Sequence, residues 1–227
     1  MDDPTDLAQA TRRLIRTADG LTDGEYAGPS RCAGWTRGHV VAHLALNAEG
    51  LAGALRGIVE GLRVPMYQSQ ESRDDDIEVL AGKDPSAIQS RLLGAATDLH
   101  DAIVAVPDDQ AAVTVERVPG GPGFAASDVP AMRLREVEIH HADLRSGYDR
   151  SDWSVDFARD LVTQLVDRGP ALPFSVHATD LGRTWTVGAG GPTVSGTAAD
   201  LGWWLSGRGD GSDLTSDSGV LPQTGAL

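Results

Sequence analysis

Apolar residues recur at three- and four-residue spacing through the first two-thirds of the chain, and at two-residue spacing only beyond residue 170. The first pattern belongs to helices with one buried face and the second to half-buried strands. Thr5 is placed to cap a first helix, with Leu7, Thr11, Leu14, Ile15 and Ala18 on one side. Residues 20–34 carry Pro29 and several glycines and are read as a loop. Thr36 then caps a long helix with Val40, Leu44, Ala48, Leu51, Leu55, Ile58 and Leu62 inward, which Pro65 stops. Residues 66–76 read as a polar connection leading into a short helix. Asp84 and Pro85 open another helix, with Ile88, Leu92, Ala95, Leu99, Ile103 and Val106 at helical spacing. Glycine and proline break the chain at 119–123, and Ser127 or Asp128 begins a fourth long helix.

That fourth helix is apolar on two sides. Met132 and Ile139 share a face with Glu136, His140 and Asp143, while Leu134, Val137 and Leu144 line another. Charged groups on an inward face are costly unless paired or bound to a metal. A further helix is expected at 155–168. Short alternating runs at 174–179, 184–187 and 193–196 then read as strands, followed by a helix capped by Thr197. The stretch 209–219 is loop-like, and no internal repeat is present. The expected fold is α+β, with a four-helix bundle over residues 1–150 and a small α/β domain over 151–227.

Composition narrows the function. The 227 residues carry a formal net charge of −14, which disfavours a nucleic-acid partner and supplies no basic tail for a membrane. A single cysteine, Cys32, excludes an internal disulfide and a cysteine-based metal cage, and fits a reducing compartment. The acidic N-terminus leads into no apolar run long enough for a signal peptide or a membrane span, so a cytoplasmic protein is expected.

The strongest chemical signal is R-L-R-E-V-E-I-H-H-A-D-L at 133–144. On a helix it sets Glu136 and His140 one turn apart on one face. His43 lies upstream in T-R-G-H-V-V-A-H-L-A-L-N, at the edge of an apolar stripe. Two imidazoles and a carboxylate suit a divalent metal with an open position, although polar pairs at this spacing are also common as ordinary helix-surface contacts. His39, one turn before His43, offers an alternative pair but is expected nearer solvent. His141 points about 100° away from His140 and is not expected to join it. Asn47 follows His43 by one turn and could orient a ligand or simply find a local partner. Arg73 in the polar connection and Arg208 in S-G-R-G-D-G could clamp carboxylates or be solvated surface charges. Tyr67 could donate a hydrogen bond in a pocket or pack against the bundle. Trp203 and Trp204 read as core of the small domain. Cys32 has no partner that the sequence identifies, and no phosphate-binding glycine loop is present.

Taken together, G-W-T-R-G-H-V-V-A-H-L-A-L-N at 34–47, P-M-Y-Q-S-Q-E-S-R at 65–73, M-R-L-R-E-V-E-I-H at 132–140 and S-G-R-G-D-G at 206–211 resemble the mycothiol-dependent maleylpyruvate isomerases. These enzymes belong to the wider DinB-like metal-binding superfamily. The resemblance covers nearly the whole chain and implies a DinB-like four-helix bundle over which a small sterol-carrier-like domain closes. It implies zinc on His43, Glu136 and His140, mycothiol as thiol cofactor beside Asn47 and Tyr67, and catalytic roles for Arg73 and Arg208. The chain ends in L-P-Q-T-G-A-L, where an aromatic ending is expected of the family.

The implied chemistry is coherent. A metal stabilises a thiolate near neutral pH. That thiolate adds to the cis double bond of maleylpyruvate, the bond rotates in the resulting enolate, and elimination leaves fumarylpyruvate, as in gentisate-type aromatic degradation. The two arginines hold the carboxylates of this small dicarboxylate substrate and stabilise the enolate. A mycothiol S-transferase acting on an electrophilic xenobiotic or metabolite would need the same metal and thiol but no second carboxylate clamp. A non-catalytic, metal-stabilised ligand-binding protein would have a fourth protein ligand, for which Asp143 and His39 are available. Iron, nickel or manganese would suit the same donors as zinc. A monomer is expected.

Overall fold

The computed structural model describes residues 4–168 and 173–222. The chain divides into two compact units, Met1–Ser146 and Gly147–Leu227. In the first unit the helices are α1 (Pro4–Gly20), α2 (Asp23–Tyr26), α3 (Arg37–Val59), α4 (Gln70–Ala81), α5 (Pro85–Ala105) and α6 (Val129–Asp143). A short antiparallel hairpin of β1 (Thr114–Glu116) and β2 (Gly123–Ala125) precedes α6.

Four of these helices close into a ring of contacts: α3 packs on α5 and α6, and α1 packs on α5 and α6. The reason is visible in the apolar stripes. Ala10, Leu14 and Ala18 of α1 are buried at four-residue spacing. Ala48, Leu51, Ala52, Leu55 and Ile58 of α3 meet Ala95, Leu99 and Ala102 of α5 in one core cluster with Val115, Ala126 and Val129. Small residues on both helices bring their axes close. Thr36 caps α3 as expected, its hydroxyl accepting from the His39 amide at 3.3 Å. Pro85 opens α5 at its first turn.

Several expectations are corrected. Helix α1 starts at Pro4, so Thr5 lies within it rather than capping it. The expected loop at 20–34 contains the one-turn helix α2, with a capping box between Thr22 and Glu25. Helix α3 ends at Val59, before Pro65: Gly61 takes a left-handed φ of 73° and turns the chain back, leaving Leu62 56% exposed instead of inward. The polar connection is already helical from Gln70, capped by Ser69, so Arg73 stands in the first turn of α4. The β1–β2 hairpin was not expected, since three-residue strands are too short to display an alternating pattern.

The second unit holds α7 (Val155–Asp167), β3 (Phe174–Ala178), β4 (Arg183–Val187), β5 (Thr193–Gly196), α8 (Ala198–Leu205) and β6 (Thr215–Ser216). Its sheet has the order β4-β3-β5-β6, with β3 and β5 parallel and the other pairs antiparallel. Thr197 caps α8, and Trp203 and Trp204 are buried as expected. β6 falls in the stretch read as loop. The last five residues of L-P-Q-T-G-A-L lie outside the described residues.

One packing detail positions the site. The Met66–Tyr67 segment runs so close to α3 that a Cβ on Gly50 would stand 2.8 Å from the Met66 carbonyl oxygen. Its other side is fixed to the hairpin strand, with Met66 N–H donating to the Glu116 carbonyl at 2.9 Å and Tyr67 N–H to the Arg117 carbonyl at 3.0 Å. Gly50→Ala is therefore expected to lower the melting temperature, because a backbone clash costing about 1–3 kcal/mol outweighs the gain in helix propensity of about 1 kcal/mol. Gly53→Ala, on the same helix with nothing within 4 Å of the added carbon, is expected to raise it. Thermal denaturation of the two variants checks the opposite signs.

Candidate functional site

Helices α3 and α6 lie side by side and bring His43, Glu136 and His140 together. One ligand atom from each lies within 4.8 Å of the others. His43 Nε2 is 3.0 Å from Glu136 Oε2, and His140 Nε2 is 3.5 Å from the same oxygen. The two imidazoles meet edge to face with centroids 4.8 Å apart. The His43 side chain is almost fully buried, whereas Glu136 keeps 29% of its surface exposed. The group is thus enclosed on the α3 side and open at the carboxylate.

Electrostatics follow from this enclosure. Burial pushes the His43 pKa down to about 4, against the opposing pull of Glu136, so the ring is neutral at pH 7. Burial would raise Glu136, but hydrogen bonds from His140 and His43 reverse this and hold it well below the usual carboxylate range. Burial likewise disfavours a charged His140, yet Asp143, Cys32 and Glu136 outweigh it and raise its pKa well above the ordinary value.

Each histidine is oriented from behind. His140 Nδ1 donates to Asp143 Oδ2 at 2.9 Å, from a carboxylate that is completely buried. This bond fixes the ring and turns Nε2 toward Glu136, the arrangement by which an outer carboxylate prepares a histidine to ligate. Cys32 does have a partner: its thiol donates to the same Asp143 oxygen at 3.3 Å and lies 3.9 Å from His140 Nδ1. The cysteine arrives there because its loop is tied to the end of α6. The Arg31 amide donates to the Asp143 carbonyl at 2.8 Å, and Arg37 Nε to that of Leu144 at 2.5 Å.

On the other side, Arg73 Nη2 lies 3.1 Å from His43 Nδ1. A guanidinium only donates, so Nδ1 accepts and the ring proton sits on Nε2, facing Glu136. A cation at Nε2 would require the other tautomer, and the Arg73 contact is the one exchanged. Arg73 also pairs with Asp74 at 2.6 Å and stands 5.8 Å from the centre of the Tyr67 ring. Tyr67, Arg73, Leu46, Gly50 and Met66 line a cleft of about 240 Å³ whose rim carries Glu49, Asp76 and Arg91. Burial raises the Tyr67 pKa, partly offset by Arg73 and by a hydrogen bond from Asn47.

Asn47 is buried, and its side-chain oxygen accepts from Arg133 Nη1 at 2.7 Å. Arg133 is a residue the sequence reading passed over. It precedes Glu136 by three positions on α6, a spacing that places both on one face. His39 stays apart from the cluster, in the Thr36 capping box and 3.2 Å from Glu78. His141 points away, with Nε2 2.8 Å from the Thr17 hydroxyl. Arg208 belongs to the second unit, just after α8, where its Nη1 donates to the Ser206 carbonyl at 2.8 Å.

Two nitrogens and a carboxylate oxygen converging on one space, with a buried carboxylate behind one histidine, fit a divalent metal. Among the described residues, the other trio with metal-ligand character is Cys32, His140 and Asp143, which shares His140.

The profile of the mycothiol maleylpyruvate isomerase N-terminal domain matches residues 7–145, and that of the C-terminal domain of the same family matches residues 152–226. No curated protein matches the sequence. Among solved structures, the chain is similar to the mycothiol-dependent maleylpyruvate isomerase, with 26% identity and a TM-score of 0.88 over 97% of this chain and 94% of that one. A histidine-to-alanine mutant of that enzyme gives the same coverage and TM-score at 25% identity. On a match that spans both units, the chain belongs to the mycothiol maleylpyruvate isomerase family.

Proposed function

We propose that this protein is a metal- and mycothiol-dependent cis–trans isomerase that converts maleylpyruvate to fumarylpyruvate. The observation that carries the reading is the convergence of His43, Glu136 and His140 within 4.8 Å in a chain of this family. Those three residues would hold the metal, for which zinc suits the two imidazoles and one carboxylate. When bound, the metal and mycothiol together supply a thiolate that adds to the double bond and later leaves, so that the thiol is not consumed.

The protein's own groups do the rest. Glu136 is held ionised and His43 neutral, the states in which both donate electron pairs. Asp143 holds His140 by Nδ1 and keeps Nε2 directed at Glu136. Arg73, one turn into α4 and lining the cleft, offers a guanidinium to a substrate carboxylate and to the negative charge that develops on the enolate. Arg208 is assigned the same task for the second carboxylate on the strength of the family motif S-G-R-G-D-G. The reaction is redox-neutral and calls on no cysteine of the chain, consistent with Cys32 being engaged by Asp143.

The deciding experiment is an absorbance assay of zinc-loaded protein with maleylpyruvate, with and without mycothiol, followed by product identification. Thiol-dependent formation of fumarylpyruvate is the expected outcome. Turnover of a different electrophile to a stable mycothiol adduct, with maleylpyruvate inert, would replace the isomerase by an S-transferase. His43→Ala is expected to bind no stoichiometric zinc and to be inactive while still folded. Arg73→Met is expected to bind zinc normally and lose about 100-fold in kcat/KM. Asp143→Asn is expected to weaken zinc about 10- to 100-fold in a chelator competition, because it withdraws the carboxylate that orients His140.

A further inference from the structure

Arg133 is the largest fully buried side chain among the described residues, with 1% of its surface exposed. Its Nη1 is used by Asn47, but its Nη2 is buried with no hydrogen-bond partner. Among the described residues no carboxylate pairs with it directly, and Glu136, three positions on, attracts it from a distance. Sealing a guanidinium between helices in this way is unfavourable, and an apolar side chain of similar length would pack there at lower cost. The Arg133 charge therefore calls for an explanation outside stability.

Its neighbours supply one. Arg133 takes the Asn47 oxygen, so the amide NH2 is the group that Asn47 turns toward the Tyr67 hydroxyl. Arg73 approaches the same hydroxyl with a guanidinium, and Arg73 Nε is itself buried without a partner. With Asn47 and Arg73 both placed as donors beside the Tyr67 oxygen, its own hydrogen is the one free to turn toward a ligand. Tyr67 and Arg73 both line the 240 Å³ cleft, where Glu49 is already tied to Arg91 through two bonds of 2.7 and 2.8 Å. The remaining acidic group on the rim is Asp76.

We propose that Tyr67 and Arg73 form a carboxylate subsite in this cleft and that Arg133 is its positioning residue. Arg133 acts from beneath, by holding Asn47 beside the Tyr67 hydroxyl so that the hydroxyl donates toward the ligand, and by a positive charge that attracts an anion in the cleft as it attracts Glu136. The ligand class, a small dicarboxylate, rests on the isomerase reading. Tyr67, and Asn47 behind it, then serve the substrate rather than the thiol cofactor.

Calorimetric titration of the zinc-loaded full chain with maleate, and separately with mycothiol, tests this. Arg133→Met is expected to weaken maleate by about tenfold or more, to leave zinc stoichiometry and mycothiol affinity unchanged, and to remain folded. Arg133→Lys, which restores the charge but not the fork, is expected to recover part of the maleate affinity, and its loss in turnover should fall on KM more than on kcat. Unchanged maleate binding in a folded Arg133→Met protein overturns the proposal. So does a parallel loss of melting temperature, zinc and both ligands in Arg133→Met and Arg133→Lys, which makes Arg133 structural. Should Arg133→Met fail to fold, the maleate-to-mycothiol affinity ratio of Arg133→Lys decides. A parent protein that binds maleate yet never isomerises maleylpyruvate sinks the isomerase and leaves the subsite standing.

Discussion

Glu136 projects from α6 between two imidazoles, 3.0 Å from His43 and 3.5 Å from His140, inside a bundle where a solitary carboxylate would be strongly disfavoured. The surrounding polar architecture answers that one charge. His140 is steadied by Asp143, Asp143 is shared with the Cys32 thiol, and His43 is met from the far side by Arg73. Remove the carboxylate and the two histidines have no reason to face each other. The apolar core lies farther along the bundle, where Leu51, Leu55 and Ile58 of α3 pack on Leu99 and Ala102 of α5, so α3 divides its length between packing against α5 and polar chemistry with α6.

That division explains what could be read from the sequence. The stripes of α3 and α5 are regular because they do one job, and capping residues such as Thr36, Pro85 and Thr197 announce helix starts locally. Glu136 and His140 were conspicuous because charged groups interrupted an otherwise buried face. His43 stood out for the same reason on α3.

What escaped the reading was non-local or short. Cys32 looked partnerless because its partner is 111 residues away. Arg133 was passed over because an arginine on a helix is ordinarily a surface residue; only the tertiary packing shows it enclosed. Leu62 fitted the apolar period of α3, but the left-handed turn at Gly61 removed it from the helix. The strands of the hairpin at 114–125 are too short to show an alternating pattern, and only the glycine and proline break between them is visible. These are cases where local propensity is silent and contact with distant chain decides.

The tie between Met66–Tyr67 and the Glu116–Arg117 strand has a consequence for the order of assembly. The first histidine of the cluster precedes its carboxylate partner by 93 residues, and the hairpin that anchors Tyr67 is made only after both α3 and α5 have been synthesised. Contacts of such long range close late, since loop entropy must be overcome before they form. On a growing chain α3 and α5 are both made before α6, which carries Glu136 and His140. The cluster of two histidines and a carboxylate is therefore complete only once the last helix of the first unit has been added.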